Sequence, residues 1–171
     1  MKKILLVRHA LPEHGSATIS DKQRRLKPEG VQQAQQLGKY LSAKGITPDL
    51  ILCSDAARTQ ETASNLGFEN TKVELNSEIY LPSADQIMTA INDVFDEGVK
   101  TLMIMTHYPG VLEFALDIAG DRPVFDRGYP ESTLSIFETS AESWQDVTKE
   151  NTKITHVRMF QPPQAQNAPK L

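Results

Sequence analysis

Two histidines and two arginines occupy positions where chemistry on an anion is possible. Arg8 and His9 stand side by side, directly after an unbroken apolar run at residues 4–7. Arg58 follows a second apolar run, and His107 follows a third. Arginine forks match phosphate oxygens bidentately, and a neutral imidazole is a competent nucleophile. These residues predict phosphoryl transfer through a phosphohistidine, in which the second histidine, if cationic, neutralises charge on the phosphoryl oxygens.

Each of these residues also has an ordinary structural explanation. Arg58 could form a surface pair with Glu61 one helical turn on, an arrangement that contributes about 0.5 kcal/mol. Arg8 alone could be a salt-bridge partner, and His107 alone could be a hydrogen-bonded core residue. A cation in the first turn of a helix opposes the helix dipole, however, unless an anion binds there. The occurrence of such residues at three strand ends favours the functional interpretation.

The elements that must hold these residues alternate along the chain. Apolar runs predict strands at residues 3–8, 49–53, 72–75 and 101–106, and two late strands at 133–138 and 154–160. Helical spacing predicts helices from Pro28, from a cap at Ser54 or Asp55 to Leu66, over 84–97 with Ile87, Ile91, Val94 and Phe95 on one face, and over 111–119. This alternation predicts an α/β fold, a three-layer α/β/α sandwich with a mostly parallel central sheet. The carboxyl ends of parallel strands share one edge, where ligands bind.

Length and composition set limits on the class of protein. The 171 residues fit a single domain at 1–160, followed by a tail at 161–171 that we expect to be mobile. A net charge of −4 argues against a protein that coats nucleic acid. No apolar run approaches transmembrane length, so we expect no membrane partner and a cytoplasmic location. We expect a monomer, because no exposed apolar stripe is evident.

The sequence also predicts that the chain uses neither a metal nor a cofactor. One cysteine, Cys53, offers no disulfide framework and no cysteine cluster for metal binding. The four histidines lack the spacing of a zinc site. The glycine-rich loops of nucleotide-binding folds are missing, as is the Gly-x-Ser-x-Gly motif of serine hydrolases.

Four motifs, in order along residues 1–138, resemble those of the histidine phosphatase (phosphoglycerate mutase-like) superfamily. Residues 6–10 resemble its Arg-His-Gly signature, with Ala10 in place of the commoner glycine. Residues 26–30 match the segment before the first helix, and residues 53–63 resemble the Ser-x-x-x-Arg-x-x-x-Thr-Ala segment. Residues 105–110 resemble the second-histidine motif.

The resemblance implies a role for several residues. It makes His9 the nucleophile that becomes phosphorylated, in a phosphate pocket with Arg8, Arg58 and His107. Arg24 resembles a further phosphate-contacting arginine of the short bacterial members, although its neighbour Arg25 could take that role. Many members use a glutamate between Arg58 and His107 as general acid. Glu78 is the candidate here, and a surface carboxylate is the alternative.

The length of the chain indicates the type within the superfamily. The interval from Arg58 to His107 has little room for a cap domain, which is typical of the short SixA-type phosphohistidine phosphatases. The resemblance therefore implies a metal-independent phosphatase that acts on a phosphorylated protein carrying phosphohistidine. One alternative is a phosphomonoesterase acting on a small phosphorylated substrate. A second is an adaptor that binds phosphate without turnover.

Overall fold

The computed structural model describes residues 1–163, which fold around one six-stranded sheet. The strands are β1 (Lys2–Arg8), β2 (Leu50–Cys53), β3 (Lys72–Leu75), β4 (Thr101–Thr106), β5 (Leu134–Thr139) and β6 (Thr152–Arg158). The α-helices are α1 (Pro28–Ala43), α2 (Ala57–Ser64), α3 (Ala84–Asn92) and α4 (Gly110–Ala119). Most of the predicted tail, residues 164–171, lies outside the described residues.

The order of strands across the sheet is β3-β2-β4-β1-β5-β6. β1 pairs in parallel with β4, β4 with β2, and β2 with β3. β5 pairs antiparallel with β1 on one side and with β6 on the other. The prediction of a mostly parallel sheet is therefore confirmed. The register sets Arg8 opposite Thr106 and Cys53 opposite Met105, so β1, β2 and β4 end at the same edge.

The helices cover both faces of this sheet. In β1, Ile4 and Leu6 pack in the cluster that includes residues of α3 and α4, and Leu5 and Val7 pack in the cluster that includes residues of α1 and α2. All four side chains are fully buried. Successive side chains of a strand point to opposite faces, and a strand covered on both faces has a continuous apolar sequence. The three-layer α/β/α arrangement is confirmed.

The third helix is shorter than its periodicity predicts. α3 ends at Asn92, and the predicted continuation to residue 97 is wrong. Val94 is buried as predicted, but Phe95 is 74% exposed. The side-chain amide of Gln145 donates to the backbone carbonyls of Asn92 and Val94. A tertiary contact thus satisfies carbonyl groups that a longer helix would have bonded internally.

Two other boundaries differ from the prediction. β6 covers Thr152–Arg158, two residues earlier than predicted at each end. The residue at the N-cap of α2 is Ala56, which offers no side-chain hydrogen bond. The predicted cap at Ser54 or Asp55 is wrong, because both residues precede the cap position and Ser54 uses its hydroxyl elsewhere.

The connection from α2 to β4 contains β3, a 3₁₀ turn at Ser77–Ile79 and α3. It is too short for a further domain, and the prediction that no cap domain covers the sheet edge is confirmed. Within residues 1–163, no helix is both long enough and apolar enough to cross a membrane.

Candidate active site

The sheet edge carries a cavity of about 340 Å³ at the ends of β1 and β4. It is lined by the four side chains that the sequence singles out, His9, Arg8, Arg58 and His107. Arg24 lines the same cavity. The fold therefore brings together residues from two strand ends, one helix and the polar loop at residues 11–27.

His9 is held in one orientation at this cavity, with 5% of its surface exposed. Its Nδ1 lies 2.8 Å from the backbone carbonyl of Ala10, so Nδ1 carries the proton and donates it. Nε2 then keeps its lone pair. Burial lowers the pKa of His9 well below its usual value, and His107, Arg8 and Arg58 lower it further, despite the opposing bond to Ala10. A neutral, oriented imidazole is what nucleophilic attack requires.

Backbone hydrogen bonds fix the segment that carries His9. The His9 amide donates to the Thr106 carbonyl (3.2 Å), and the Ser132 amide donates to the His9 carbonyl (3.0 Å). The Ala10 amide donates to Thr62 Oγ1 (3.0 Å), whose own hydroxyl donates to the Arg58 carbonyl. The segment is thereby tied to β4, to the residues before β5, and to the helix that carries Arg58.

Arg58 lies beneath the loop, with 2% of its surface exposed. One terminal nitrogen donates to the Asp21 carbonyl (2.7 Å) and the other to Asp21 Oδ2 (2.9 Å). The expected alternative, a pair with Glu61, does not form. Glu61 instead accepts from Arg25 and from the Leu26 amide.

Asp21 is a residue of this site that sequence reasoning missed. Besides Arg58, its carboxylate accepts from Arg24 Nε (3.0 Å) and from the Tyr80 hydroxyl. Partial burial alone would raise the pKa of Asp21, but the hydrogen bonds from Tyr80, Arg58 and Arg24 hold it well below its usual value. The only sequence signal is a carboxylate three residues before Arg24 in a polar loop, a pattern too common to identify a site.

The surroundings of His107 favour its neutral form. Burial and the neighbouring Arg58 lower its pKa to about 3, although Asp21 opposes this. Its Nε2 lies 2.7 Å from Ser54 Oγ. Among the described residues, Nε2 is the only acceptor within reach of the Ser54 hydroxyl proton, because its other partner, the Ala56 amide (3.4 Å), is a donor. We therefore assign the Ser54 hydroxyl as the donor to Nε2, which leaves the proton of His107 on Nδ1. These surroundings favour the neutral ring, whereas a phosphoryl anion bound beside it would favour the cation that the sequence predicts.

Arg8 closes another side of the cavity. Its NH1 donates to the Tyr129 carbonyl (2.8 Å), and its NH2 lies 3.5 Å from Glu131. The guanidinium also lies over the ring of Tyr108, 5.1 Å from the ring centroid. These contacts hold Arg8 in place without using its Nε.

Three buried nitrogens of cavity-lining side chains lack a hydrogen-bond partner within residues 1–163. They are Arg8 Nε, Arg58 Nε and His107 Nδ1. Buried polar groups without partners are rare and call for an explanation. An anion with several acceptor oxygens, as in a phosphoryl group, would satisfy such donors.

The three remaining candidates lie in different surroundings. Arg24 lines the cavity, whereas Arg25 is 75% exposed at its side chain and pairs with Glu61. Glu78 is exposed, in the 3₁₀ turn Ser77–Ile79, and is not among the lining residues. The carboxylates that do line the cavity are Asp21 and Glu131. In the described part of the chain, no three His, Cys, Asp or Glu residues are grouped to hold a metal ion.

Comparisons with known proteins agree with this geometry. Residues 4–80 match the model of the histidine phosphatase superfamily, branch 1. A phosphohistidine phosphatase SixA homolog from Haemophilus influenzae is 36% identical over 124 residues, which cover 64% of this chain and 75% of that protein.

Solved structures resemble the fold as a whole. A protein assigned as phosphohistidine phosphatase SixA from Nakamurella multipartitia superposes with a TM-score of 0.80 at 23% identity, covering 93% of this chain and 96% of that chain. A mycobacterial glucosyl-3-phosphoglycerate phosphatase gives a TM-score of 0.64 at 13% identity, covering 94% and 98%. At these identities the likeness concerns the fold alone.

Proposed function

Since this chain belongs to the histidine phosphatase superfamily, and within it to the SixA type, we propose that it hydrolyses protein phosphohistidine through a phosphorylated His9, without a metal ion. Family membership supports phosphatase activity in general. The substrate, the intermediate and the metal independence are our proposal.

The observation that carries the proposal is the state of His9. The surroundings favour a neutral ring, its Nδ1 proton is bonded to the Ala10 carbonyl, and its Nε2 lone pair is free in a cavity lined by three arginines. A nucleophile held in this way needs no separate base to activate it. A residue used only to bind phosphate would gain from being cationic, and the surroundings of His9 disfavour that state.

The reaction takes two steps at phosphorus. In the first, His9 Nε2 forms a bond to phosphorus while the bond from phosphorus to the substrate imidazole breaks, and the departing ring nitrogen takes a proton from solvent or from the candidate acid Glu78. In the second, water attacks phosphorus, the bond to Nε2 breaks, and orthophosphate leaves with the proton lost by water. Arg8, Arg58 and the Nδ1–H of His107 stabilise the phosphoryl oxygens in both steps.

Two features favour phosphohistidine on a protein over a small phosphate ester. No cap domain covers the cavity edge, so a bulky substrate has access to His9. The leaving imidazole is also readily protonated, which lessens the demand for a general acid. We keep Glu78 as the candidate acid, and Glu78→Gln tests it: the substitution impairs turnover strongly only if the substrate is an ester with a poor leaving group.

A turnover assay tests the proposal. Wild type and His9→Ala receive a phosphohistidine protein, a phosphohistidine peptide, and a panel of sugar, nucleotide and glycerate phosphates, with and without EDTA. We expect a preference for phosphohistidine, no effect of EDTA and almost no activity in His9→Ala. A preference for a small ester would instead identify a phosphomonoesterase, and binding without turnover would identify an adaptor.

A further inference from the structure

Two side chains at the catalytic cavity expose apolar surface to solvent, and one of them, Tyr108, also lies under the guanidinium of Arg8. Leu81 is 52% exposed and Tyr108 is 42% exposed, and both line the cavity that contains His9. They follow Tyr80 and His107 directly, and the rings of those two residues meet edge to face with centroids 5.3 Å apart.

The segments that carry these side chains run side by side. Gly110, at the start of α4, approaches Pro82 so closely that a Cβ there would lie 2.3 Å from the Pro82 carbonyl oxygen. Only glycine permits this contact. The contact brings the segment of Leu81 next to that of Tyr108, and both side chains line the cavity. We call them the apolar rim.

The backbone conformation of Leu81 indicates that a leucine at this position does not stabilise the fold. Its φ is +46°, in the left-handed region, which glycine adopts freely and which leucine adopts only with strain. An exposed leucine in that conformation gains little from burial. Strained residues of this kind cluster at functional sites, where a ligand provides the missing contacts.

We propose that the apolar rim binds the ring of the leaving group, and so selects substrates in which phosphorus is bonded directly to a flat heteroaromatic nitrogen. This inference rests on the proposed function. With His9 Nε2 attacking one side of phosphorus, the leaving nitrogen departs from the opposite side, away from the cavity floor. An imidazole there meets the face of Tyr108 and the side chain of Leu81.

The chemistry of the rim fits a ring better than other leaving groups. Aromatic rings gain from contact with another ring beyond the burial of area, and a leucine packs against either face of an imidazole. The hydroxyls of a sugar phosphate need hydrogen-bonding partners, of which the rim offers only the Tyr108 hydroxyl.

Two small phosphorus–nitrogen compounds test the rim, because both break the same type of bond. Phosphoimidazole has a ring as leaving group, and phosphoramidate has only an amino group. The measured quantity is the ratio of kcat/KM for phosphoimidazole to kcat/KM for phosphoramidate, compared between each variant and wild type. The intrinsic reactivities of the two compounds cancel in that comparison.

Leu81→Gly is the decisive variant, because it removes the side chain and relieves the backbone strain. We expect the ratio to fall about 3- to 10-fold, as the loss of roughly half of a leucine's apolar contact area implies, with a melting temperature equal to or above that of wild type. Tyr108→Ala should lower the ratio similarly, and Tyr108→Phe should retain it. Phe95→Ala, which removes an exposed apolar side chain outside the cavity lining, is the matched control and should keep the wild-type ratio.

The experiment tests ring binding by the apolar rim separately from the phosphatase activity on which that binding depends. A ratio within twofold of wild type in Leu81→Gly overturns the rim, even if phosphohistidine is hydrolysed normally. If wild type hydrolyses a phosphohistidine peptide but not phosphoimidazole, the rim is overturned and the proposed function stands. If wild type hydrolyses neither the peptide nor the two small compounds, the proposed function is overturned and the rim with it.

Discussion

Substitution of Ser54 tests whether a single hydrogen bond orients His107 for catalysis. Its hydroxyl donates to His107 Nε2 at 2.7 Å, and both side chains are buried. This bond sets the proton of His107 on Nδ1, the nitrogen that lacks a partner in the described residues. Ser54→Ala removes the bond without changing any charge.

The expected loss follows from the burial of His107, which is 1% exposed. Leaving a buried polar atom without its partner costs about 1–3 kcal/mol. If the ring responds by moving its proton to Nε2, the cavity loses one oriented donor. Loss of such a donor costs about 100-fold or more in other enzymes. Because the ring can keep its place here, we expect kcat/KM to fall about 10- to 100-fold, equivalent to about 1.4–2.7 kcal/mol.

Steady-state kinetics with a phosphohistidine peptide measure this loss, and ¹⁵N NMR of His107 reports which ring nitrogen carries the proton. Ser64→Ala is the matched control. Ser64 lies on α2 as an exposed residue whose hydroxyl bonds only the Glu61 carbonyl. Ser54→Thr keeps a hydroxyl and should restore part of the activity. A Ser54→Ala enzyme with kcat/KM within twofold of wild type, and with His107 still protonated at Nδ1, would refute the reasoning.

Three further predictions concern charge at the site. Because the pKa of His107 is lowered to about 3, its ring should not titrate by NMR between pH 8 and 5. The pKa of His9 is also lowered, so its midpoint should lie below 6.5, and a midpoint of either ring at 6.5 or above would contradict their burial. Asp21→Asn should lower the free energy of unfolding by about 1 kcal/mol at pH 7, since Asp21 is partly exposed. Because the pKa of Asp21 is lower in the folded protein than in the unfolded chain, the difference in unfolding free energy between wild type and Asp21→Asn should be largest above about pH 4 and should shrink below it. Urea titrations at several pH values measure this difference. A difference that does not change with pH would exclude the ionised carboxylate as its cause. Arg24→Ala should lower kcat/KM at least about 10-fold and Arg25→Ala less than about 3-fold, and the reverse order would assign phosphate contact to Arg25.

Much of the fold could be predicted from sequence because strands that are buried on both faces of the sheet have uninterrupted apolar sequences. The apolar runs that form β1, β2 and β4 have no polar residue to interrupt them, and each is followed by polar residues at the sheet edge. Arg8 and His107 are conspicuous for that reason. Parallel pairing then brings them together, as the register of β1 and β4 requires.

The parts that could not be predicted depend on contacts between distant segments. Asp21 meets Arg58 across 37 positions, and Ser54 meets His107 across 53. Neither partner carries a local signal, because a polar loop and a residue before a helix are ordinary surroundings for Asp and Ser. The end of α3 at Asn92 depends in the same way on Gln145, so helical periodicity alone overestimates its length.

The most direct test of the central claim is to trap the covalent intermediate. Wild type is mixed rapidly with a phosphohistidine peptide labelled in its phosphoryl group, quenched in alkali to preserve phosphohistidine, and mapped by peptide mass spectrometry. We expect the label to appear on His9 within the first turnover and to be absent in His9→Ala, whether or not EDTA is present. Label on His107 or on no residue, in an enzyme that turns over normally, would contradict it.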